Sequence, residues 1–343
     1  MKENKLDKFN LRKVILQEAE QIKVGLSLAE DVKPQGDFKS ITISGMGGSA
    51  LPADILDILV KDFLRKSENQ DGAKRYFEIY RNRTYHLPEE AYDKSLNVVC
   101  SYSGNTEETI SSLREVVKNK LPCVALSNGG MVEKICQENN IPHIQIPYPF
   151  ENFQPRIATG YFVFAIWKIL QNIGIVGEVV SDEIVANLEK KIVETEEYGQ
   201  GLAQKIFRKT PIVYSTDKFK ALAMVWKIKF NENSKTPAFW NYFSEVNHNE
   251  MVGFTNPQAD FHFIMLRDKA GHPQNIKRME VMAKLLKKNN LDSEIIDIEG
   301  GEIVEKVFST LYLGDWVSYY LALEYETDPT PVQMVEEFKK LIK

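Results

Sequence analysis

The first half of the chain alternates short apolar runs with longer stretches whose apolar residues recur at helical spacing. The short runs predict strands at residues 40–44, 76–80, 97–101, 122–127 and 143–146. The longer stretches predict helices at residues 9–29, 50–64, 106–118, 131–139 and 160–172. Strands separated by helices in this order indicate a parallel sheet covered by helices on both faces.

The second half repeats this alternation after a proline-containing connector. Strands are predicted at 211–215, 261–266 and 293–297, and helices at 181–200, 219–231, 275–288, 302–325 and 331–342. A length of 343 residues suits two domains of ordinary size. We therefore predict an α/β protein with one domain at 1–177 and a second at 178–343, each a mainly parallel sheet flanked by helices.

A turn rich in hydroxyl groups, here named the hydroxyl loop, follows the third strand. It spans residues 101–106, Ser-Tyr-Ser-Gly-Asn-Thr, and leads directly into a helix. The start of a helix offers unpaired backbone N–H groups and the positive end of the helix dipole, which favour an anion. An ordinary N-cap needs one Ser, Thr or Asn, whereas four stand here within six positions. The loop predicts a binding site for a phosphate monoester.

A second turn, the glycine loop, follows the first strand at residues 45–50, Gly-Met-Gly-Gly-Ser-Ala. Its glycines would let the backbone approach a ligand closely. The spacing also fits the dinucleotide fingerprint in its Gly/Ala form, which expects an acidic residue after the second strand. That strand instead ends at Arg81-Asn82-Arg83. Because basic residues could meet a 2′-phosphate, a nicotinamide-dependent dehydrogenase stays open as a remote alternative.

Composition argues against several other classes of function. Hydrophobic residues make up 43% and charged residues 27% of the chain, as in soluble globular proteins. A net charge of -5 argues against nucleic acid as a partner. The apolar stretch at 157–170 is too short to span a bilayer, and the N-terminus lacks the apolar core of a signal peptide. We expect neither a membrane nor a nucleic-acid partner.

Cysteine and histidine spacing gives no sign of a metal site. The three cysteines have no CxxC spacing, which predicts reduced thiols and a cytoplasmic protein. Cys100 and Cys123 lie in strand-like runs, which predicts core positions for both. The five histidines show no i,i+4 or HxH pairing. We predict no metal and no cofactor.

Together, the glycine loop and the hydroxyl loop resemble those of the sugar-isomerase (SIS) domain. Four further segments narrow the resemblance: Pro155-Arg156, residues 231–235 (Asn-Glu-Asn-Ser-Lys), residues 248–250 (His-Asn-Glu), and the helix that follows residues 328–332 and carries Lys339. Over essentially the whole chain, these residues resemble the bifunctional phosphoglucose/phosphomannose isomerases. The resemblance implies two SIS-type domains of flavodoxin-like fold and an aldose–ketose isomerase acting on hexose 6-phosphates.

The resemblance also implies roles for individual residues. Glu232 would move a proton between C1 and C2 of the sugar, and His248 would assist ring opening. Arg156 would stabilise the enediol oxygen, and Lys339 would approach the ring oxygen or a hydroxyl. The phosphate would be bound by residues of the two loops: Gly47, Gly48, Ser49, Ser101, Ser103 and Thr106. A homodimer is implied in which His248 reaches the neighbour's site, and the aromatic-rich segment 235–254 suits an interface.

Read without the resemblance, these residues say less. Glu232 follows an apolar helix, and an acidic residue is unfavourable at a helix C-terminus, which favours a functional role. His248 would be interpreted as a structural or solvated histidine, Arg156 as a capping or ion-paired arginine, and Lys339 as a surface lysine. The resemblance itself leaves one point open. At a position where some family members carry Thr, this chain has Val332, so the sequence does not decide the balance between glucose and mannose substrates.

Two further functions compete with the hexose 6-phosphate isomerase. One is another SIS isomerase, for example one that acts on a pentose phosphate. The other is a sensor that binds sugar phosphates without catalysis. A sensor needs no base, so Glu232 and His248 favour an enzyme.

Overall fold

The computed structural model describes residues 5–72, 74–150 and 152–342. The chain forms two compact units. The middle unit runs from Gln17 to Val185, and the terminal unit combines the described residues up to Leu16 with those from Ala186 onward. These units differ from the predicted domains, 1–177 and 178–343, at the first 16 residues and at 178–185. As a division of functions, the predicted domains stay a prediction.

The middle unit contains a five-stranded parallel sheet in the order β2-β1-β3-β4-β5. Its strands are β1 (Ser40–Gly45), β2 (Glu78–Asn82), β3 (Ser95–Ser101), β4 (Cys123–Ser127) and β5 (His143–Gln145). Every residue of β1, β3 and β4 is buried, because helices cover the sheet. This strand order is that of flavodoxin-like folds, so the predicted fold class is confirmed.

The helices of the middle unit are α2 (Glu20–Leu28), α3 (Leu51–Asp71), α4 (Glu107–Asn119), α5 (Gly130–Asn139) and α6 (Thr159–Asn172). The single helix predicted at 9–29 is wrong. A turn at 17–19 separates α1 (Leu11–Leu16) from α2, and the chain passes there from the terminal to the middle unit. Apolar periodicity continues through the turn, so the pattern alone gives no sign of the break.

The terminal unit has a four-stranded parallel sheet in the order β7-β6-β8-β9. Its strands are β6 (Thr210–Thr216), β7 (Phe239–Phe243), β8 (Phe261–Arg267) and β9 (Asp292–Asp297). The edge strand β7 was not predicted, since its run of large side chains shows no clear alternation. The sequence suggested only an aromatic-rich interface there.

The remaining helices follow in chain order: α7 (Asp182–Ile206), α8 (Lys220–Glu232), α9 (Glu250–Gly253), α10 (Pro273–Lys288), α11 (Ile303–Glu324) and α12 (Gln333–Leu341). Most of α11 is buried, and Trp226 of α8 donates its indole N–H to the Thr310 carbonyl 2.8 Å away. Among the helices described, none is long and apolar enough to cross a membrane.

The first helix is held in the terminal unit by residues far away in sequence. The guanidinium of Arg12 donates to Glu196 at 2.6 Å, and the hydroxyl of Tyr319 donates to Asp7 at 3.2 Å. Asp7 also accepts from the backbone N–H of Leu11, the first residue of α1, at 2.7 Å. This segment is thereby fixed to α7 and α11.

Candidate functional site

The glycine loop and the hydroxyl loop lie at the same edge of the middle unit's sheet. Strands β1 and β3 are parallel neighbours, with Gly45 opposite Cys100. The two loops follow directly from these strand ends. Ligands of open α/β sheets bind at the carboxyl ends of the strands, so this edge is the candidate site.

The glycine loop continues into α3 through a short 3-10 turn, Gly47–Ala50. Gly47 has φ +52° and is exposed, and a Cβ atom there would meet nothing within 4 Å. Backbone conformation, and not lack of space, thus favours a glycine at this position. At Gly48 the reason is space, because a Cβ atom would lie 2.5 Å from the backbone N of Arg156.

Hydroxyl groups in the two loops bond to each other and to the loop backbone. Ser49 Oγ accepts from the backbone N–H of Tyr102 at 2.9 Å, and Ser101 Oγ donates to Thr106 Oγ1 at 3.1 Å. Ser103 is exposed, and its Oγ accepts from the Asn105 N–H at 3.2 Å. Thr106 is the N-cap residue of α4 but makes no side-chain capping bond. Simple capping therefore does not account for this cluster.

Arg156 lies in the same unit, on the 3-10 turn Pro155–Ile157. It is 1% exposed, and its Nη1 is 3.5 Å from Gln154 Oε1. Because its backbone packs on Gly48, the loops and this buried cation are held together. A buried positive charge on a turn that packs against a donor-rich loop suits an anionic ligand.

A third loop, which sequence reasoning did not assign to the site, supports the hydroxyl loop. It follows β4 and contains Gly129 and Gly130. The carbonyl of Gly129 would be 1.7 Å from a Cβ atom on Gly104, which has φ +68°. Asn105 Oδ1 accepts from the N–H of Met131 at 3.2 Å, so this amide serves α5. The Gly-Gly turn signal in the sequence could have identified the loop.

The basic end of β2 is neutralised by α3. Arg81 donates to Asp54 at 2.7 Å and pairs with Asp57 at 3.0 Å, while Arg83 also pairs with Asp54. These carboxylates form ion pairs with the two arginines that a 2′-phosphate would need. The arrangement counts against the dinucleotide interpretation of the glycine loop.

The terminal unit carries the other three predicted residues, beginning with Glu232. This half-buried glutamate is the last residue of α8, whereas the sequence predicted that the helix ends one residue earlier, at position 231. Next to it, Lys235 donates from Nζ to the carbonyl oxygens of Glu232 at 3.0 Å, Asn233 at 3.1 Å and Asp328 at 2.8 Å. A lysine bound to the last carbonyls stabilises a helix end, and here it also attaches the segment that leads to α12.

Buried polar contacts fix α8 against α11. Lys229 pairs with Asp315, and both side chains are almost fully buried. Nδ2 of the buried Asn233 donates to Ser318 Oγ at 2.9 Å. Paired charges and hydrogen bonds in a low-dielectric interior resist sliding of one helix along another, so the Glu232 segment has a defined register.

His248 and Lys339 both occupy exposed positions. His248 follows the 3-10 turn Glu245–Asn247, and the nearby Glu250 carboxylate accepts from Tyr214 Oη at 2.5 Å and from Asn241. Lys339 lies on α12 and pairs with Glu336 at 2.9 Å. Across the described parts of the chain, no group of three or more His, Cys, Asp or Glu side chains could hold a metal ion.

Known proteins resemble this chain over most of its length. A family model for the bacterial phospho-glucose isomerase C-terminal SIS domain matches residues 195–342. The chain is 32% identical to a bifunctional phosphoglucose/phosphomannose isomerase of Caldicellulosiruptor bescii, over 92% of this chain and 93% of that protein. The chain is 31% identical to a bifunctional phosphoglucose/phosphomannose isomerase of Aquifex aeolicus, again over 92% of this chain and 93% of that protein.

Solved structures agree on the fold. A putative phosphosugar isomerase from Clostridium difficile 630 superposes with a TM-score of 0.66, covering 96% of this chain and 97% of that one at 13% identity. At that identity the likeness concerns the fold, and the identity to the curated relatives decides the family. The chain belongs to the bifunctional phosphoglucose/phosphomannose isomerase family.

Proposed function

We propose that this chain interconverts glucose 6-phosphate or mannose 6-phosphate and fructose 6-phosphate by proton transfer through an enediol. The observation that carries the proposal is the packing of Gly48 against the backbone of the buried Arg156, which holds the turn that carries this cation against the glycine loop. This arrangement suits a substrate that has a phosphate and develops a second negative charge during reaction.

The phosphate is assigned to the two loops of the middle unit. Ser49, Ser101, Ser103 and Thr106 supply hydroxyl groups, and Gly47 and Gly48 let the backbone approach the phosphate. The N-terminus of α4, which has no side-chain cap, adds N–H groups and the positive end of its dipole. Such donors bind the phosphate of either aldose equally, because they do not contact C2.

Glu232 is assigned as the base. Aldose–ketose isomerisation removes a proton from C2 of the aldose and returns it to C1 of the enediol, and a single carboxylate suffices. The planar enediol retains no configuration at C2, so the same base serves glucose and mannose phosphates. The contacts of Lys235 and Asn233 would keep Glu232 in place during both transfers.

Arg156 is assigned to stabilise the negative charge that develops on the enediol oxygen. A buried guanidinium interacts more strongly with a developing oxyanion than an exposed one does. His248 would assist ring opening, and Lys339 would approach the ring oxygen or a hydroxyl. These two roles rest on the family resemblance.

The proposal includes a homodimer in which His248 serves the neighbouring chain's site. Support comes from exposed apolar surface on β7, where Phe239 is 55% exposed at the sheet edge. A cytoplasmic location is also proposed, since the described cysteines are buried and unpaired, as fits a reducing compartment.

The deciding experiment measures isomerisation and exchange of the C2 proton with solvent in Glu232→Gln. The matched control is Glu324→Gln, because Glu324 is likewise the last residue of its helix. We expect the Glu232 variant to bind fructose 6-phosphate but to lose exchange, and the control to keep it. Near-normal turnover by Glu232→Gln would refute the assignment of the base. A parent chain that binds hexose 6-phosphates without converting them would favour the sensor.

A further inference from the structure

Tyr102 stands between two proposed phosphate ligands, Ser101 and Ser103, yet it is only 5% exposed. Its backbone joins three loops. The N–H donates to Ser49 Oγ at 2.9 Å, and the carbonyl accepts from the N–H of Asn128 at 2.8 Å. The residue therefore connects the hydroxyl loop to the glycine loop and to the loop after β4.

The side chain of Tyr102 reaches a fourth segment. Its hydroxyl donates to the carbonyl of Pro147 at 2.8 Å, at the start of the connector that leads to Arg156. The ring packs against Phe153 with centroids 5.7 Å apart, and against Phe162 of α6 at 6.4 Å. Burial raises the pKa of the Tyr102 phenol, which stays a hydrogen-bond donor at neutral pH.

The connector depends on such contacts because of its own composition. Proline occupies positions 147, 149 and 155, and each proline removes a backbone N–H donor. The connector has few backbone donors left, and its own backbone bonds are short-range, such as Phe153 N–H to the Phe150 carbonyl at 3.3 Å, so contacts from other segments help to position it. Tyr102 supplies one such contact at the start of the connector, while Gly48 packs on Arg156 at its end.

We propose that Tyr102 is a positioning residue for Arg156, setting the connector that carries this arginine against the loops that bind phosphate. The inference rests on the role assigned to Arg156 under the proposed function. It predicts that removing the Tyr102 hydroxyl disturbs the stabilisation of the enediolate more than the binding of phosphate.

The test is Tyr102→Phe, which keeps the packed ring and removes only the hydroxyl. The matched control is Tyr161→Phe, since Tyr161 belongs to the same aromatic cluster, 6.5 Å from Phe153. Three measurements are made: hydrogen exchange of amides in residues 148–157, inhibition by inorganic phosphate, and kcat and KM for fructose 6-phosphate. The kinetics are repeated in an Arg156→Gln background.

In Tyr102→Phe we expect amide exchange in the connector to accelerate about fivefold or more, and kcat to fall about tenfold with KM and phosphate inhibition within about threefold. In the Arg156→Gln background the same change should alter kcat less than about twofold, because residues that act together are not additive. Tyr161→Phe should resemble the parent throughout.

Unchanged connector exchange overturns the proposal, and so does an equal loss of kcat in both backgrounds. A loss of phosphate binding at constant kcat also overturns it, since Tyr102 would then act on the phosphate loops alone. If the parent does not isomerise any hexose 6-phosphate, the proposed function fails. Connector exchange would still decide whether Tyr102 positions Arg156.

Discussion

Gly48 and Arg156 are in backbone contact: a Cβ atom on Gly48 would lie 2.5 Å from Arg156 N and 2.6 Å from the carbonyl carbon of Pro155. Both opposing atoms belong to the main chain, so no side-chain rotation can make room. The position of the glycine loop is therefore fixed relative to the turn that carries Arg156, and a shift of one segment moves the other.

Gly48→Ala should separate these two segments. We expect the free energy of unfolding to fall by about 1–3 kcal/mol, as for other overpacked sites. We also expect kcat/KM to fall by a larger fraction of its parent value than the free energy of unfolding does. Gly201→Ala is the control, because a Cβ atom at this helical position meets nothing within 4 Å. Urea denaturation and steady-state kinetics give the two quantities. Parent-like kcat/KM in Gly48→Ala would mean that this contact does not matter for turnover.

Ser103→Ala and Thr106→Ala should each weaken binding of fructose 6-phosphate by about 1.5–3 kcal/mol, the usual value of a hydrogen bond to a charged group. The fold should survive, since Ser103 is exposed and Thr106 half-buried. Ser111→Ala is the control, because Ser111 lies on α4, the helix that follows the hydroxyl loop. Calorimetric titration measures the affinities. If both loop variants bind like the parent, the phosphate lies elsewhere.

Lys235→Met removes the ammonium that bonds to three carbonyl groups while keeping most of the aliphatic stem. We expect turnover to fall and the terminal unit to lose about 1–2 kcal/mol of stability. Lys235→Arg should restore part of both, because a cation is retained. Lys284→Met replaces an exposed lysine on α10 and serves as the control. Full activity in Lys235→Met would show that this anchor is dispensable.

Burial lowers the pKa of His262, on β8, to about 4. In the unfolded chain the imidazole is protonated below about pH 6.5, whereas in the folded chain it stays neutral down to about pH 4. The contribution of His262 to the free energy of unfolding is therefore fully present above pH 6.5 and is lost as the pH falls toward 4. The loss from this residue is at most about 3 kcal/mol. His262→Leu should show a smaller drop in melting temperature between pH 7 and 4.5 than the parent. The exposed control His272→Asn should follow the parent, and parallel curves for all three would exclude this role of His262.

Shared active sites in a homodimer can be tested by complementation. Glu232→Gln and His248→Ala chains, each inactive alone, are unfolded and refolded together. If His248 serves the neighbouring chain, each mixed dimer contains one intact site, and activity returns. If each chain supplies both residues to its own site, every site keeps one lesion. The mixture then stays inactive, and the shared-site proposal fails.

The sequence predicted the parallel architecture well because burial on both faces leaves a strong signal. Strands β3 and β4 contain nearly continuous apolar runs, and the ends of β1 and β3 marked the two loops. The turn at 17–19 was missed because the apolar period continues through it, and β7 was missed because its large side chains do not alternate. Local pattern carries little information about where an edge strand pairs.

Partners of side chains were harder to predict than their locations. Asn105 was counted among the four cap-type residues of the hydroxyl loop, but its amide group donates to the Ser103 carbonyl and accepts from the N–H of Met131. Arg81 and Arg83 were considered for a 2′-phosphate, although Asp54 of α3 pairs with both. These contacts depend on which elements pack together, and a single sequence does not record that. The roles of Glu232 and His248 stay predictions until the variants are measured.

The contact between Asp7 and Tyr319 joins positions 312 residues apart, which affects how the protein is made. At about 5–20 residues per second, a ribosome needs roughly 15–60 s to synthesise the intervening chain. Residues 17–185 emerge during this interval and can fold as they appear. The first helix meanwhile lacks its contact with α11, so the side chains that it packs there are available to chaperones or to neighbouring nascent chains until α11 leaves the exit tunnel.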